Sequence, residues 1–318
     1  MTETTARVAA SLMAVMPVVL LVLYILARSR SRTSSELILT TILMGGLSGL
    51  FALVIEFPIG WAVDQIEYLH LRAFLRALFV AAIPEEMVKF WVFLYVALRH
   101  EDNRLPVDAF ISAVCIGLGF ATMENLLYVL GADSWSATGV KRAASAVPGH
   151  AVYGLVLGYF AMRQPNLTSK LNRSIIVGIT SAVLLHAAYD FPLFGVKMFE
   201  EANLSEVSEL YFYGFAVVIL VVALIGAGCI EKAMRQMDDS YLPGRASIPH
   251  RFGRWLLAPG LWGVIGAGLT LAGASSIAYG LYPLVNSVDI RWEFIIFAIF
   301  PVVYGLFMAR FGLNGRHS

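Results

Sequence analysis

The chain has 318 residues, 58% of them hydrophobic and only 14% charged, with a mean hydropathy of +0.74, values that exclude a large water-soluble domain. A formal net charge of +1 spread over short connections excludes a basic nucleic-acid face and an acidic tail. Cys115 and Cys229 stand far apart in apolar segments, which excludes a disulfide framework, a zinc ribbon and a Cys-x-x-Cys redox pair.

A membrane-crossing helix needs about 20 apolar residues, and runs of that kind fall at 8–27, 36–59, 73–98, 108–130, 143–162, 174–196, 210–230, 256–282 and 292–310. The expected fold is therefore all-α, a polytopic transmembrane helix bundle of about nine spans. The first run is too long for a signal-peptide core, has no small-residue cleavage site after it, and is stopped by Arg28, Arg30 and Arg32, so it reads as a retained helix. One set of span ends carries 15 Lys and Arg and the opposite set 7. Positive charge favours the cytoplasm, which places the N-terminus outside and the C-terminus cytoplasmic. The acidic 197–209 loop then faces out and the 231–254 loop faces in. Three regions follow: an N-terminal helix with its basic stop (1–35), a membrane core that holds the polar residues (36–196), and accessory helices (197–318).

An acidic or basic side chain at the centre of a membrane helix costs roughly 2.5–3.5 kcal/mol even on mild insertion scales, so those that persist face the bundle and act there. Span three reads AAIPEEMVKFWVF. Glu85 and Lys89 are four apart and Glu86 and Lys89 three apart, so either carboxylate reaches the ammonium on one helical face; Pro84 frees a backbone carbonyl and predicts a kink. Span four reads GLGFATMENLLYV, with Phe120 and Glu124 on one face and Asn125 beside the acid. Span five reads VPGHAVYGLVLGY, where Gly154 and Gly158 form a small-xxx-small pair one turn beyond His150. In span six, LLHAAYDFPLF, His186 and Asp190 are one turn apart, the spacing at which a carboxylate orients an imidazole.

With alternating span directions, Glu124, His150, His186 and Glu85 all lie at depths of roughly 9 to 18 Å from the outer surface, level enough to share one pocket. Glu56 has no motif around it and lies near an outer helix end, so it reads as a structural residue that snorkels to water. Asp108, at the inner start of span four, reads as a capping residue. The Gly-rich 260–275 stretch lacks Walker spacing and reads as helix packing.

EExxK (Glu85, Glu86, Lys89), FxxxEN (Phe120, Glu124, Asn125), HAxxG (His150, Gly154) and HxxxD (His186, Asp190), in that order on successive helices, resemble the PrsW family of intramembrane proteases, relatives of the CAAX prenyl endopeptidases and bacteriocin-processing membrane proteases. The resemblance covers about residues 36–196 and leaves the final third aside. It implies an intramembrane endopeptidase of the bacterial plasma membrane that cuts a membrane-anchored, anti-sigma-factor-like protein. Two mechanisms stay open. In one, no cofactor is needed: a glutamate, Glu86 in preference to Glu85, takes a proton from water while His150 and His186 stabilise the oxyanion. In the other, His150, His186 and a carboxylate such as Glu124 hold Zn²⁺, with Glu85 or Glu86 as base. The chain contains no HExxH, so a metal would need ligands from separate helices. Lys89, Asn125 and Asp190 are then supporting residues, with Asn125 available to substrate backbone. The rival reading is a proton-coupled transporter or channel in which the same Glu, His and Lys relay protons.

Overall fold

In hydrocarbon a backbone satisfies its own hydrogen bonds most readily as a helix, and among the described residues every regular element is one. The computed structural model describes residues 3–28, 33–163 and 172–239, with isolated positions between 270 and 306; the predicted spans at 256–282 and 292–310 lie outside the described residues.

The elements are α1 (Glu3–Arg28), α2 (Ser35–Asp64), α3 (Leu69–Leu75), α4 (Ile83–Val92), α5 (Pro106–Gly131), α6 (Trp135–Ala144), α7 (Ala146–Met162), α8 (Arg173–Glu201) and α9 (Ser205–Asp239). Four helices, α2, α5, α8 and the Ser205–Ala233 part of α9, are each long and apolar enough to cross a membrane. Side-chain caps start two of them: Ser34 accepts from Leu37 N and Asn172 from Ile175 N, both at 3.0 Å. At the start of α5, Asp108 accepts from Leu105 N at 2.8 Å and from Thr33 Oγ1 at 2.8 Å, the capping role its position predicts.

The centre of the bundle is α5. Every residue from Val107 to Ala121 is buried, the signature of a helix that is apolar all round and enclosed by others. It packs most extensively on α7 and α2. Apolar lipid gives helices little hydrophobic reason to associate, so their contact depends on close backbone approach at small residues. A Cβ added at Gly154 of α7 would stand 3.0 Å from Ala113 C and Val114 Cα of α5, and one at Gly158 would stand 2.8 Å from Phe110 O. The predicted small-xxx-small pair is thus the α5–α7 seam. On the other side of α5, Gly119 meets the backbone of Ile42 and Gly46, and Gly45 meets that of Ile116. Large apolar side chains such as Leu43, Phe51, Val54, Phe57 and Trp61 of α2 point outward, as lipid-facing positions do.

The segment predicted as span three departs from a uniform helix. A π-helical stretch, Arg76–Ala82, joins α3 to α4, and a second, Phe93–Ala97, follows α4. The first precedes Pro84, which has no N–H to donate to the carbonyl four residues back. The chain accommodates it by widening, with Ile83 N bonded to Leu78 O, so the expected kink appears as a π stretch, a form common at functional sites. The widened ends hold α4 so that Glu85, Glu86 and Lys89 are buried while Met87, Trp91 and Tyr95 face out. Arg76 pairs with Asp64 and ties this segment to the end of α2.

Candidate active site

Five helices contribute to one chain of polar contacts. On α4 the local spacing does what it predicts: Lys89 Nζ donates to Glu86 Oε1 at 2.7 Å and to Glu85 Oε2 at 3.3 Å. Its third bond goes to His150 Nδ1 of α7 at 3.0 Å, and the ammonium sits 3.8 Å from the centre of the Phe120 ring of α5, a cation–π contact that offsets part of its desolvation. All three ammonium donors are used, which is the condition for burying a lysine.

His150 bridges two elements. Its Nε2 lies 2.7 Å from Glu124 Oε2 of α5; an ionised carboxylate only accepts, so Nε2 carries the proton and Nδ1 turns its lone pair to Lys89. His186 of α8 is likewise held from both sides, Nδ1 at 2.9 Å from Glu86 Oε1 and Nε2 at 3.2 Å from Asp190 Oδ2. The HxxxD spacing therefore brings the carboxylate onto the imidazole as expected. The two rings meet at 5.3 Å between centroids.

Several residues of the site carry no motif. Arg142 of α6 pairs with Glu124 Oε2 at 2.7 Å through one nitrogen and donates to Asn125 Oδ1 at 2.7 Å through Nε. Asn125 also donates to Ala14 O of α1 at 3.1 Å, so both ends of its amide are engaged within the bundle. Substrate backbone, the partner expected for Asn125, would meet an amide that already makes these two bonds. Tyr153 of α7 stacks on His186 with centroids 4.6 Å apart and meets His150 edge-on at 5.7 Å. Glu56 is half-buried on the face of α2 between buried Ala52 and Gly60, and the charges of Glu124, Lys89 and His186 act on it. It belongs beside the cluster and not apart from it.

Glu85, Glu86, His150 and His186 are all buried and each offers one ligand atom within 4.8 Å of the others. Two imidazoles and two carboxylates are a donor set of zinc type, but the Lys89 ammonium bonds three of the four, Glu85, Glu86 and His150, so an ion binds there only by displacing it. Glu124, grouped with the two histidines in the sequence reading, is outside this set of four, because Arg142 and the far nitrogen of His150 hold it.

Helices long and apolar enough to cross a membrane that enclose a buried, hydrogen-bonded Glu, Lys and His cluster are the marks of a membrane protein with a polar site among its helices. The family model described as PrsW family intramembrane metalloprotease matches residues 33–226, more than half of the chain, and the chain belongs to that family and is an intramembrane protease. Similar proteins include "Protease PrsW" of Oceanobacillus iheyensis, 27% identical over 212 residues that make up 65% of this chain and 89% of that protein. "Protease PrsW" of Shouchella clausii is 27% identical over 226 residues, 70% of this chain and 96% of that protein. "Protease PrsW" of Bacillus subtilis is 28% identical over 110 residues, 34% of this chain and 50% of that protein. No solved structure matches the chain.

Proposed function

We propose that the chain hydrolyses a peptide bond of a single-span or lipid-anchored, anti-sigma-factor-like protein within or next to a bacterial plasma membrane. In this reading residues 36–196 form the protease core of a bundle of about nine spans, with the N-terminus outside, as the Lys and Arg distribution favours. The observation that carries it is the continuous contact chain from Arg142 through Glu124, His150, Lys89 and Glu86 to His186 and Asp190.

Within that chain Glu85 is the least engaged carboxylate. Glu86 Oε1 takes short bonds from both Lys89 and His186, whereas Glu85 stands 3.3 Å from Lys89 Nζ and 3.9 Å from His186 Nε2. Glu85 is therefore the better general base, in place of Glu86, and Glu86 fixes Lys89 and His186. Glu85 takes a proton from water as its oxygen attacks the scissile carbonyl, and delivers it to the departing amine. His186, with both ring nitrogens held by Glu86 and Asp190, acts on the developing oxyanion through its field and not by a direct hydrogen bond. Should the four donors hold a zinc-class ion, its ligands are His150 and His186 with a carboxylate of Glu85 or Glu86, and it supplies Lewis-acid polarisation and a more acidic water.

The test is cleavage of a dye-labelled single-span reporter by purified chain in proteoliposomes, with mass spectrometry of the new termini. Wild type should cut beside the membrane span, and Glu85→Gln and His186→Ala should each lose at least about 100-fold in rate while still inserting. No cut by wild type together with proton flux across the same vesicles would replace this reading with the proton relay.

A further inference from the structure

Tyr153 is 2% exposed, and its hydroxyl is buried without a hydrogen-bond partner among the described residues. An unmet buried hydroxyl is destabilising, and a phenylalanine would keep both ring contacts, on His186 at 4.6 Å and against His150 at 5.7 Å, without that cost. The packing therefore explains the ring and leaves the oxygen unexplained.

The hydroxyl reaches back one turn along α7 over Gly149, where an added Cβ would stand 3.3 Å from it. Glycine inside a helix is less stabilising than alanine. Here its missing side chain leaves room beside the phenol. Two locally unfavourable choices, one turn apart and next to the histidines, place an unbonded hydroxyl where only a hydrogen-bond acceptor would satisfy it. Glu86 is engaged with Lys89 and His186, Asp190 with His186, and Glu124 with His150 and Arg142; Glu85, the loosely held base, does not bond the phenol either. The acceptor has to arrive with the substrate.

We propose that Tyr153 is a catalytic hydrogen-bond donor to the carbonyl oxygen of the scissile peptide, an assignment that rests on the peptidase reading above. When water oxygen bonds the carbonyl carbon, the C=O π pair moves onto the oxygen and Tyr153 Oη donates to the resulting oxyanion. The pair returns as the C–N bond breaks, and the amine leaves with the proton that Glu85 took from water. The phenol keeps its own proton throughout. Its contribution grows with the charge on the oxygen, so it acts on the transition state more than on the bound substrate.

The experiment compares wild type, Tyr153→Phe and Glu85→Gln on the single-span reporter in proteoliposomes, with kcat and KM measured separately. Tyr153→Phe should lower kcat by about 100- to 1,000-fold with KM within about threefold of wild type. Wild-type kcat in Tyr153→Phe beside an inactive Glu85→Gln overturns the role of Tyr153 and leaves the peptidase site standing. A fully active Glu85→Gln overturns the peptidase site itself, and this inference with it. If Tyr153→Phe fails to insert, trifluorotyrosine at the same position, which keeps the ring and makes the phenol more acidic, is substituted: a changed kcat supports the donor role and an unchanged kcat overturns it.

Discussion

Arg142 and Glu124 meet at 2.7 Å, which joins a ten-residue helix too short to cross a membrane to a carboxylate that itself bonds a buried histidine. The same guanidinium bonds Asn125 through Nε and lies 3.9 Å from the centre of the Tyr128 ring. Three consecutive constraints fix its plane, and Glu124 is thereby fixed for His150. The imidazole in turn keeps one tautomer, with its lone pair toward Lys89. Arg142 acts through two other residues and so is a positioning group.

Replacing Arg142 should therefore change rate more than binding. Arg142→Gln is expected to lower kcat on the single-span reporter by about 10- to 100-fold, the usual cost of removing an outer partner of a working histidine. Arg142→Lys should recover only part, because a point charge cannot bond Glu124 and Asn125 together as the planar fork does. Full recovery by lysine would mean that charge alone, without the paired geometry, holds Glu124.

Lys89 makes the opposite kind of prediction, on stability. Its ammonium holds Glu85 and Glu86, whose side chains are only 7% and 4% exposed. Lys89→Met leaves those carboxylates buried without their cation and should destabilise the protein by about 3–5 kcal/mol. Adding Glu86→Gln should return part of that loss, since the second change removes one of the stranded charges. Thermal unfolding in detergent for the two single variants and the double variant reads this directly, and simple additivity would show that Lys89 does not neutralise Glu86.

What the sequence made legible follows the reach of local geometry. Glu85, Glu86 and Lys89 sit within one turn, as do His186 and Asp190, so helical spacing alone placed their contacts. Counting residues along spans also put the four motifs where they could meet, and side chains from all four are in contact. Arg142 escaped because α6 has no apolar run of its own and read as the approach to the span at 143–162; only the folded chain brings it back to a glutamate 18 positions away. Tyr153 resembled any aromatic on an apolar helix, and the signal that separates it, an unbonded hydroxyl, exists only in three dimensions. Glu56 looked free to snorkel outward, but α2 turns that residue to its packed side.

The metal question has its own measurement. Two imidazoles and two carboxylates within 4.8 Å would take about one zinc-class ion per chain once it displaces the Lys89 ammonium from three of them. Elemental analysis of the purified membrane protein is expected to show that stoichiometry in wild type and a clear loss in His150→Ala and His186→Ala. Undiminished metal in both variants would place the ion away from this cluster.

The last prediction tests whether close backbone approach sets the site. Gly154 lies one turn along α7 from His150, and an added Cβ would press on Ala113 C and Val114 Cα at 3.0 Å, backbone atoms that cannot rotate away. Gly154→Val must therefore push α7 off α5. The Glu124–His150 bond of 2.7 Å crosses that same seam and cannot stretch by an ångström and survive. Misplacement on this scale costs on the order of 100-fold in rate, so activity should collapse even in molecules that remain folded. Gly214 of α9 is the control: nothing lies within 4 Å of its added Cβ, and Gly214→Ala should leave the rate unchanged and raise stability by about 0.5–1 kcal/mol. Reporter cleavage and thermal midpoints on both variants separate the two effects, and wild-type activity in Gly154→Val would show that the helices tolerate a wider seam than the site geometry allows.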